Sequence, residues 1–148
     1  MKKVIISACL LGEYCRYDGK TKKIDAILNS FKDYEIIPFC PEAPIFGTPR
    51  ERISLVKNDN SVRVITDETN KDVTELLSSE IRSFLSNHAD VDAIVLKSKS
   101  PSCGVGTTPV LNEKKELLEY GSGLAAEMFQ KHFADVKIFD EEEFLNKF

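Results

Sequence analysis

Four short apolar runs, separated by stretches of helical periodicity, decide what this chain can fold into. Residues 3–9, 34–39 and 92–97 are rich in Val and Ile, and residues 3–9 alternate little. That is the pattern of a strand buried on both faces, as in a parallel sheet covered by helices. VKIFD, residues 136–140, reads as a last strand. Between the runs, Ile24, Ile27, Leu28 and Phe31 recur at helical spacing. So do Leu76, Leu77, Ile81, Phe84 and Leu85, in a helix that Asp72 or Thr74 would cap and that runs to about Asn87. Another helix follows Gly121-Ser122-Gly123 through about Phe133, and the acidic EEEFLNKF closes the chain as a short helix. ISLV and SVRVITD, parted by KNDN, form a hairpin, and residues 109–120 hold an irregular turn or a short strand. Strands alternating with helices predict a three-layer, Rossmann-like α/β fold with a mainly parallel sheet plus a small hairpin. No repeat, linker or low-complexity tract divides the 148 residues, so residues 1–148 are read as one domain.

Composition narrows the partners. With 42% apolar and 30% charged residues and a net charge of −4, the chain lacks the basic surplus of a nucleic-acid binder. MKK runs directly into VIISACLLG, which is too short for a membrane span and reads as the first core strand, not as a signal peptide. The expected location is the cytoplasm and the expected partner a small molecule, with no membrane and no nucleic acid. Disulfides are uncommon in that compartment, so four cysteines point to metal binding or catalysis.

Three of the four cysteines follow strand-like runs: Cys9 after VIISA, Cys40 after YEIIPF and Cys103 after DAIVLKSKSPS. In an open parallel sheet the carboxyl ends of the strands share one edge, where ligands bind. Cys9, Cys40 and Cys103 are therefore expected to converge there. Three thiolates suit a soft metal and leave one coordination position open. Any one of these cysteines alone reads equally well as a small buried hydrophobe. Two other readings remain open. A structural zinc or interaction domain would close all four cysteines around one ion, yet no tight C-x₂₋₄-C pair exists. A thiol redox protein would use Cys9 and Cys15, yet five residues separate them where such proteins place two.

The polar residues near these thiols are candidates for chemistry. In CPE, Glu42 follows Cys40 by two residues across Pro41, which stiffens the backbone. Beside a metal, such a carboxylate can move protons or activate water. KSKSPSCG brings Lys97, Ser98, Ser100 and Ser102 before Cys103, a donor-rich loop suited to a polar heterocycle or an anion. Arg16 and Asp18 in CRYDG and Arg50 in GTPR are candidate substrate contacts. Phosphate-binding glycine motifs are absent, and His88 and His132 fall far from the cysteine loops.

SACLLGEYCRYDG, CPE, GTPR, DVTEL, LKSKSPSCG and GSGLAAEMF, in this order and essentially end to end, resemble domain-of-unknown-function family 523, which includes the 2-thiouracil desulfurases, or desulfidases. The resemblance implies a compact α/β fold carrying an oxygen-labile 4Fe–4S cluster on three cysteines. It also implies an open fourth iron that takes sulfur from a thiolated nucleobase, releasing hydrosulfide and the oxo product without net redox change. Carried over residue by residue, it makes Cys9, Cys40 and Cys103 the cluster ligands and Glu42 the catalytic carboxylate. Ser100 or Ser102 would contact substrate or water, and Cys15 would be either a thiol lying behind the ligands or a spare sulfur handler. The stretch APIFGTPRERISLV departs from the double glycine and PTPR run of many members, a difference that bears on substrate more than on ligation.

Overall fold

The computed structural model describes residues 1–13, 17, 18, 23–59 and 61–147. Eight strands and five α-helices follow in the order β1 (Lys3–Ser7), α1 (Asp25–Ser30), β2 (Glu35–Phe39), α2 (Ala43–Phe46), β3 (Ile53–Asn58), β4 (Ser61–Thr66), α3 (Thr74–Ser86), β5 (Ala93–Leu96), β6 (Thr108–Leu111), β7 (Leu117–Gly121), α4 (Leu124–His132), β8 (Ile138–Asp140) and α5 (Glu141–Lys147). A turn of 3₁₀ helix, Ala8–Leu11, continues β1 and carries Cys9.

The four apolar runs pair, all parallel, in the order β2-β1-β5-β8. Successive side chains of a strand face opposite ways, and β1 sorts its residues accordingly. Ile5 joins Ile94 and Leu96 under Leu77 and Ile81 of α3 and Phe129 of α4. Val4 and Ile6 join Val95 under Ile27, Phe31 and Phe144 on the α1 and α5 side. Both faces are thus covered, which gives the three layers expected. All four carboxyl ends lie on one edge, and the strand order reverses at β1, whose neighbours are β2 and β5.

The hairpin β3–β4 is part of something larger than expected. A second four-stranded sheet runs β4-β3-β6-β7, with β3 and β6 parallel and the two outer pairs antiparallel. Residues 109–120, read from the sequence as an irregular turn or a short strand, supply most of two of its strands. Pro109 and the NEKKE turn mask their periodicity, and β7 is largely exposed, so no apolar alternation marks it. The loop after CPE also holds one more short helix than expected, α2. Among the described residues no helix is long and apolar enough to cross a membrane.

The start of α4 anchors the loop that follows β5. The first amides of a helix lack partners within it. Here Leu124 N–H donates to the Pro101 carbonyl, and Ala125 and Ala126 N–H both donate to the Ser102 carbonyl. Gly123 N–H donates to the Gly104 carbonyl at 2.7 Å. This close approach requires glycine: a Cβ on Gly123 would lie 2.6 Å from the Ser102 carbonyl oxygen, and one on Gly104 would lie 2.1 Å from Thr108 Oγ1. Gly123→Ala is therefore expected to cost about 1–3 kcal/mol of stability by overpacking against backbone. Urea unfolding of the variant beside the parent measures it.

Candidate active site

The carboxyl edge of the first sheet opens into a cavity of about 1200 Å³. Residues after β1, β2, β5 and β8 form its floor, while Ile53 to Leu55 of the β3 strand, together with Thr108, Pro109 and Leu111 of the β6 strand, form the facing wall. The site is thus built between the two sheets.

Cys9, Cys40 and Cys103 all line this cavity, as the strand-end argument expects, and none of the three is in a disulfide. Cys9 and Cys103 are buried, at 8% and 5% exposure, and Cys40 is half-buried. Burial drives the Cys103 thiol well above its ordinary pKa, and negative charge at Cys40 and Glu42 pushes in the same direction. The nearby hydroxyls of Ser7 and Ser100 work in the opposite direction, toward the thiolate. A soft metal supplies the positive charge that such a thiolate needs.

The donor set therefore fits a thiolate-bound centre. No group of three or more His, Cys, Asp or Glu side chains among the described residues is arranged to hold a single metal ion. The three thiols share the wall of one cavity. A Cys₄ zinc site would need Cys15, which lies outside the described residues together with Arg16.

Glu42 also lines the cavity, beside the Cys40 strand end. Its Oε2 accepts a hydrogen bond from Ser102 Oγ at 2.7 Å. Its Oε1 lies 3.5 Å from Arg50 Nε, with both side chains largely buried, 12% and 6% exposed. Arg50 is held from behind: Nη1 donates to the Gly47 carbonyl, and its backbone amide donates to the Tyr17 carbonyl. Its Nε–H is buried and, beyond that ion pair, makes no hydrogen bond among the described residues. A guanidinium N–H in this state, on a cavity wall, is a ready donor to a ligand.

The two candidate serines differ in position. Ser100 lines the cavity, and its Oγ accepts hydrogen bonds from the Ser102 and Cys103 amides, both at 3.1 Å. That turn presents Cys103. Ser102 is fully buried behind the wall and reaches the site through Glu42. Asp18 is half-buried and outside the cavity wall. Lys97 lines the cavity, but its ammonium is already engaged, donating to Ser98 O, Ser98 Oγ and Glu141 Oε2.

Sequence reasoning missed Glu141, Ser98 as its partner, and Ser7. Glu141 is buried, accepts from the Ser98 amide and hydroxyl, and pairs with Lys97 at 3.0 Å. The signal was present, because Glu141 directly follows β8 just as the cysteine loops follow their strands. DEEE is also a capping pattern: Glu143 N–H donates to Asp140 Oδ1 while Glu143 Oε1 accepts from Asp140 N–H. That box starts α5 and turns Glu141 inward.

Comparison with known proteins agrees with the geometry. The 2-thiouracil desulfurase family model matches residues 4–143. The chain belongs to the 2-thiouracil desulfurase family. Among solved structures it is similar to a [4Fe-4S]-dependent thiouracil desulfidase, TudS, with a TM-score of 0.76 and 29% identity over 99% of this chain and 95% of the other. An uncharacterized Bacillus subtilis (strain 168) protein, YbbK, is 31% identical over 111 residues, covering 70% of this chain and 74% of its own. This family member therefore shares its fold along its whole length with an iron–sulfur protein.

Burial disfavours charge on Glu141, but the Ser98 amide and the Lys97 ammonium outweigh it and hold the carboxyl below its ordinary value of 4.5. Its folded pKa being lowered, Glu141 contributes stability that is complete above the unfolded value and is lost as pH falls through the folded one. Glu141→Gln is accordingly expected to be less stable than the parent near neutral pH. The two stability curves should converge as acid titration proceeds below about pH 4, which urea unfolding across pH resolves.

Proposed function

We propose that this protein is an iron–sulfur-dependent desulfidase that hydrolyses the carbon–sulfur bond of a thiolated small molecule, with a thiolated nucleobase such as 2-thiouracil the first candidate. The observation that carries the reading is the meeting of three thiols from three parallel strand ends with the Glu42–Arg50–Ser102 group on the wall of one cavity. The thiouracil desulfidase structure to which the chain is similar supports it.

Cys9, Cys40 and Cys103 would hold a 4Fe–4S cluster, oxygen-labile and with one iron free of protein ligands. Bound there, it supplies a thiophilic Lewis acid that polarises the carbon–sulfur bond of the substrate. The chain's own residues do the rest. Glu42 accepts a proton from water at its carboxylate, and the water oxygen adds to the thiocarbonyl carbon. The carbon–sulfur bond then breaks, the sulfur leaves as hydrosulfide, and the carbonyl forms. Water in and hydrosulfide plus a proton out balance the reaction with no electron donor or acceptor. Ser102 keeps the Glu42 carboxylate aimed, and the Nε–H of Arg50, which makes no hydrogen bond to Glu42, binds a carbonyl oxygen of the ring. Ser100 holds the Cys103 turn, its hydroxyl lying at the cavity wall. Arg16 is proposed to reach the substrate from the CRYDG loop, and Asp18, off the cavity wall, to order that loop. Lys97 contributes to that wall with its charge balanced by Glu141.

Anaerobic reconstitution with iron and sulfide, then a screen of thiolated bases for hydrosulfide release, tests the reading. A colourless product with no turnover would overturn it. Glu42→Gln should keep the brown chromophore and bind substrate, yet lose about two to four orders of magnitude in turnover. Cys103→Ser should lose most of the visible absorption and Cys15→Ser should retain it. Equal loss in both would indicate a closed four-thiolate site.

A further inference from the structure

Among the described residues, two aromatic side chains line the cavity, Phe39 and Tyr17. Phe39 is 3% exposed and packs its ring against Phe84 and Phe129, with centroids 4.7 and 4.8 Å away, so it belongs to the core. Tyr17 is half-buried and belongs to the wall.

Tyr17 is tied at two points to the segment that leads into β3. Its carbonyl accepts from the Arg50 amide at 2.7 Å, and the Arg52 guanidinium lies over its ring, 5.0 Å from the centroid. Arg50 and Arg52 line the cavity as well. The tie is anchored in turn: the Arg52 carbonyl accepts from the Asp67 amide at 2.9 Å, just beyond β4, which holds the segment to the hairpin. A cation attracted to one face of an aromatic ring helps to fix the plane of that ring. Through Arg50 the same segment faces Glu42, whose Oε1 lies 3.5 Å from Arg50 Nε. The Tyr17 ring, the Arg50 donor and the Glu42 carboxylate thus reach the cavity through one continuous run of contacts.

We propose that Tyr17 is a specificity-determining residue: its ring stacks on the plane of the thiolated heterocycle, with Arg52 holding it from the opposite face. The proposal rests on the reading of the cavity as a desulfidase site for a thiolated base, and it names what selects that base. A hydrogen bond from Arg50 reads one edge of the substrate and is indifferent to whether its ring is flat. A stacked aromatic side chain reads the face. Stacking of a planar base on such a ring is typically worth about 5- to 150-fold in affinity. A puckered, saturated ring with the same thiocarbonyl and carbonyl edge keeps the Arg50 contact and loses the stacking.

The test uses the full chain, reconstituted anaerobically with iron and sulfide, and compares 2-thiouracil with dihydro-2-thiouracil, its puckered counterpart. Hydrosulfide release gives kcat and KM, and calorimetry gives the affinity for uracil, which has no carbon–sulfur bond to break. The parent is expected to favour the planar substrate. Tyr17→Leu keeps apolar bulk without a π face. It should raise KM for 2-thiouracil and weaken uracil binding by about 5- to 150-fold while kcat changes little, and it should lose the preference for the planar ring. Tyr17→Phe keeps the ring and should keep the preference. Arg52→Gln should lower the preference by less than Tyr17→Leu does. Equal losses for the planar and puckered substrates in Tyr17→Leu, equal losses in the Leu and Phe variants, or a parent preference in Tyr17→Leu, overturn the stacking role. Should Tyr17→Leu fail to fold, an unmoved preference in Arg52→Gln overturns it. A parent that releases no hydrosulfide from either substrate overturns the desulfidase reading itself, and the uracil affinities of the variants then still decide the role of Tyr17.

Discussion

The short link between the Lys97 amide and the Ser7 hydroxyl is where the first sheet stops and the site begins. Parallel strands need crossover connections, and at the point where the strand order reverses those connections leave on opposite faces. The β1 continuation therefore turns toward α1 while the β5 continuation turns toward α4. A gap opens between them at the carboxyl edge, and its backbone amides must find partners outside the ladder. Ser7 satisfies one of them without filling the gap. The loop after β5 hands its carbonyls to the start of α4, and its Ser98 amide goes to Glu141. A cavity survives at the switch point because these groups along its rim are met from behind.

That arrangement governs the charges as well. Ionised side chains in a partly buried wall lose hydration, and they persist only when paired and hydrogen-bonded. Two such groups flank the thiols. On one side Glu42 takes the Ser102 hydroxyl and faces Arg50; on the other Glu141 takes Ser98 and Lys97. The groups are not equivalent. The Lys97–Glu141 cluster is saturated, which suits it to holding structure. The Glu42–Arg50 pair is not, since Arg50 Nε–H faces Glu42 Oε1 at 3.5 Å without making a hydrogen bond among the described residues. An unsatisfied buried donor costs stability, and a protein that keeps one at a cavity wall gains a group ready for a ligand.

Much of this was legible in the sequence because strand burial leaves a strong local trace. Val4, Ile5, Ile6, Ile94, Val95 and Leu96 are apolar in unbroken runs since both faces are covered, and that same feature located the carboxyl edge and the cysteines upon it. Glu42 was found because Pro41 and Cys40 stand beside it. The second sheet was underestimated because β7 exposes Leu117, Leu118 and Tyr120, so its residue pattern carries no inside and outside. Glu141 escaped notice since an acidic first turn is ordinary at any helix N-terminus. Only its place at the end of β8, a three-residue strand, distinguishes it from Glu142 and Glu143. Contacts such as Ser102 to Glu42, sixty positions apart, have no local signature at all.

The division of the cavity between two sheets separates two tasks. Every candidate metal ligand comes from a loop at the edge of the first sheet, whose geometry is fixed by the parallel core beneath it. The opposing wall comes from the second sheet and from the segment that leads into β3, which supplies Arg50 and Arg52. Arg52 lies over the Tyr17 ring at 5.0 Å, so this segment also bears on the loop that carries CRYDG. Sequence change along APIFGTPRERISLV alters the shape and charge of that wall. β3 is pinned from both sides, by β4 and by β6. Among the described residues no backbone ladder joins floor and roof, so what couples them is side chains, the Arg50–Glu42 pair above all.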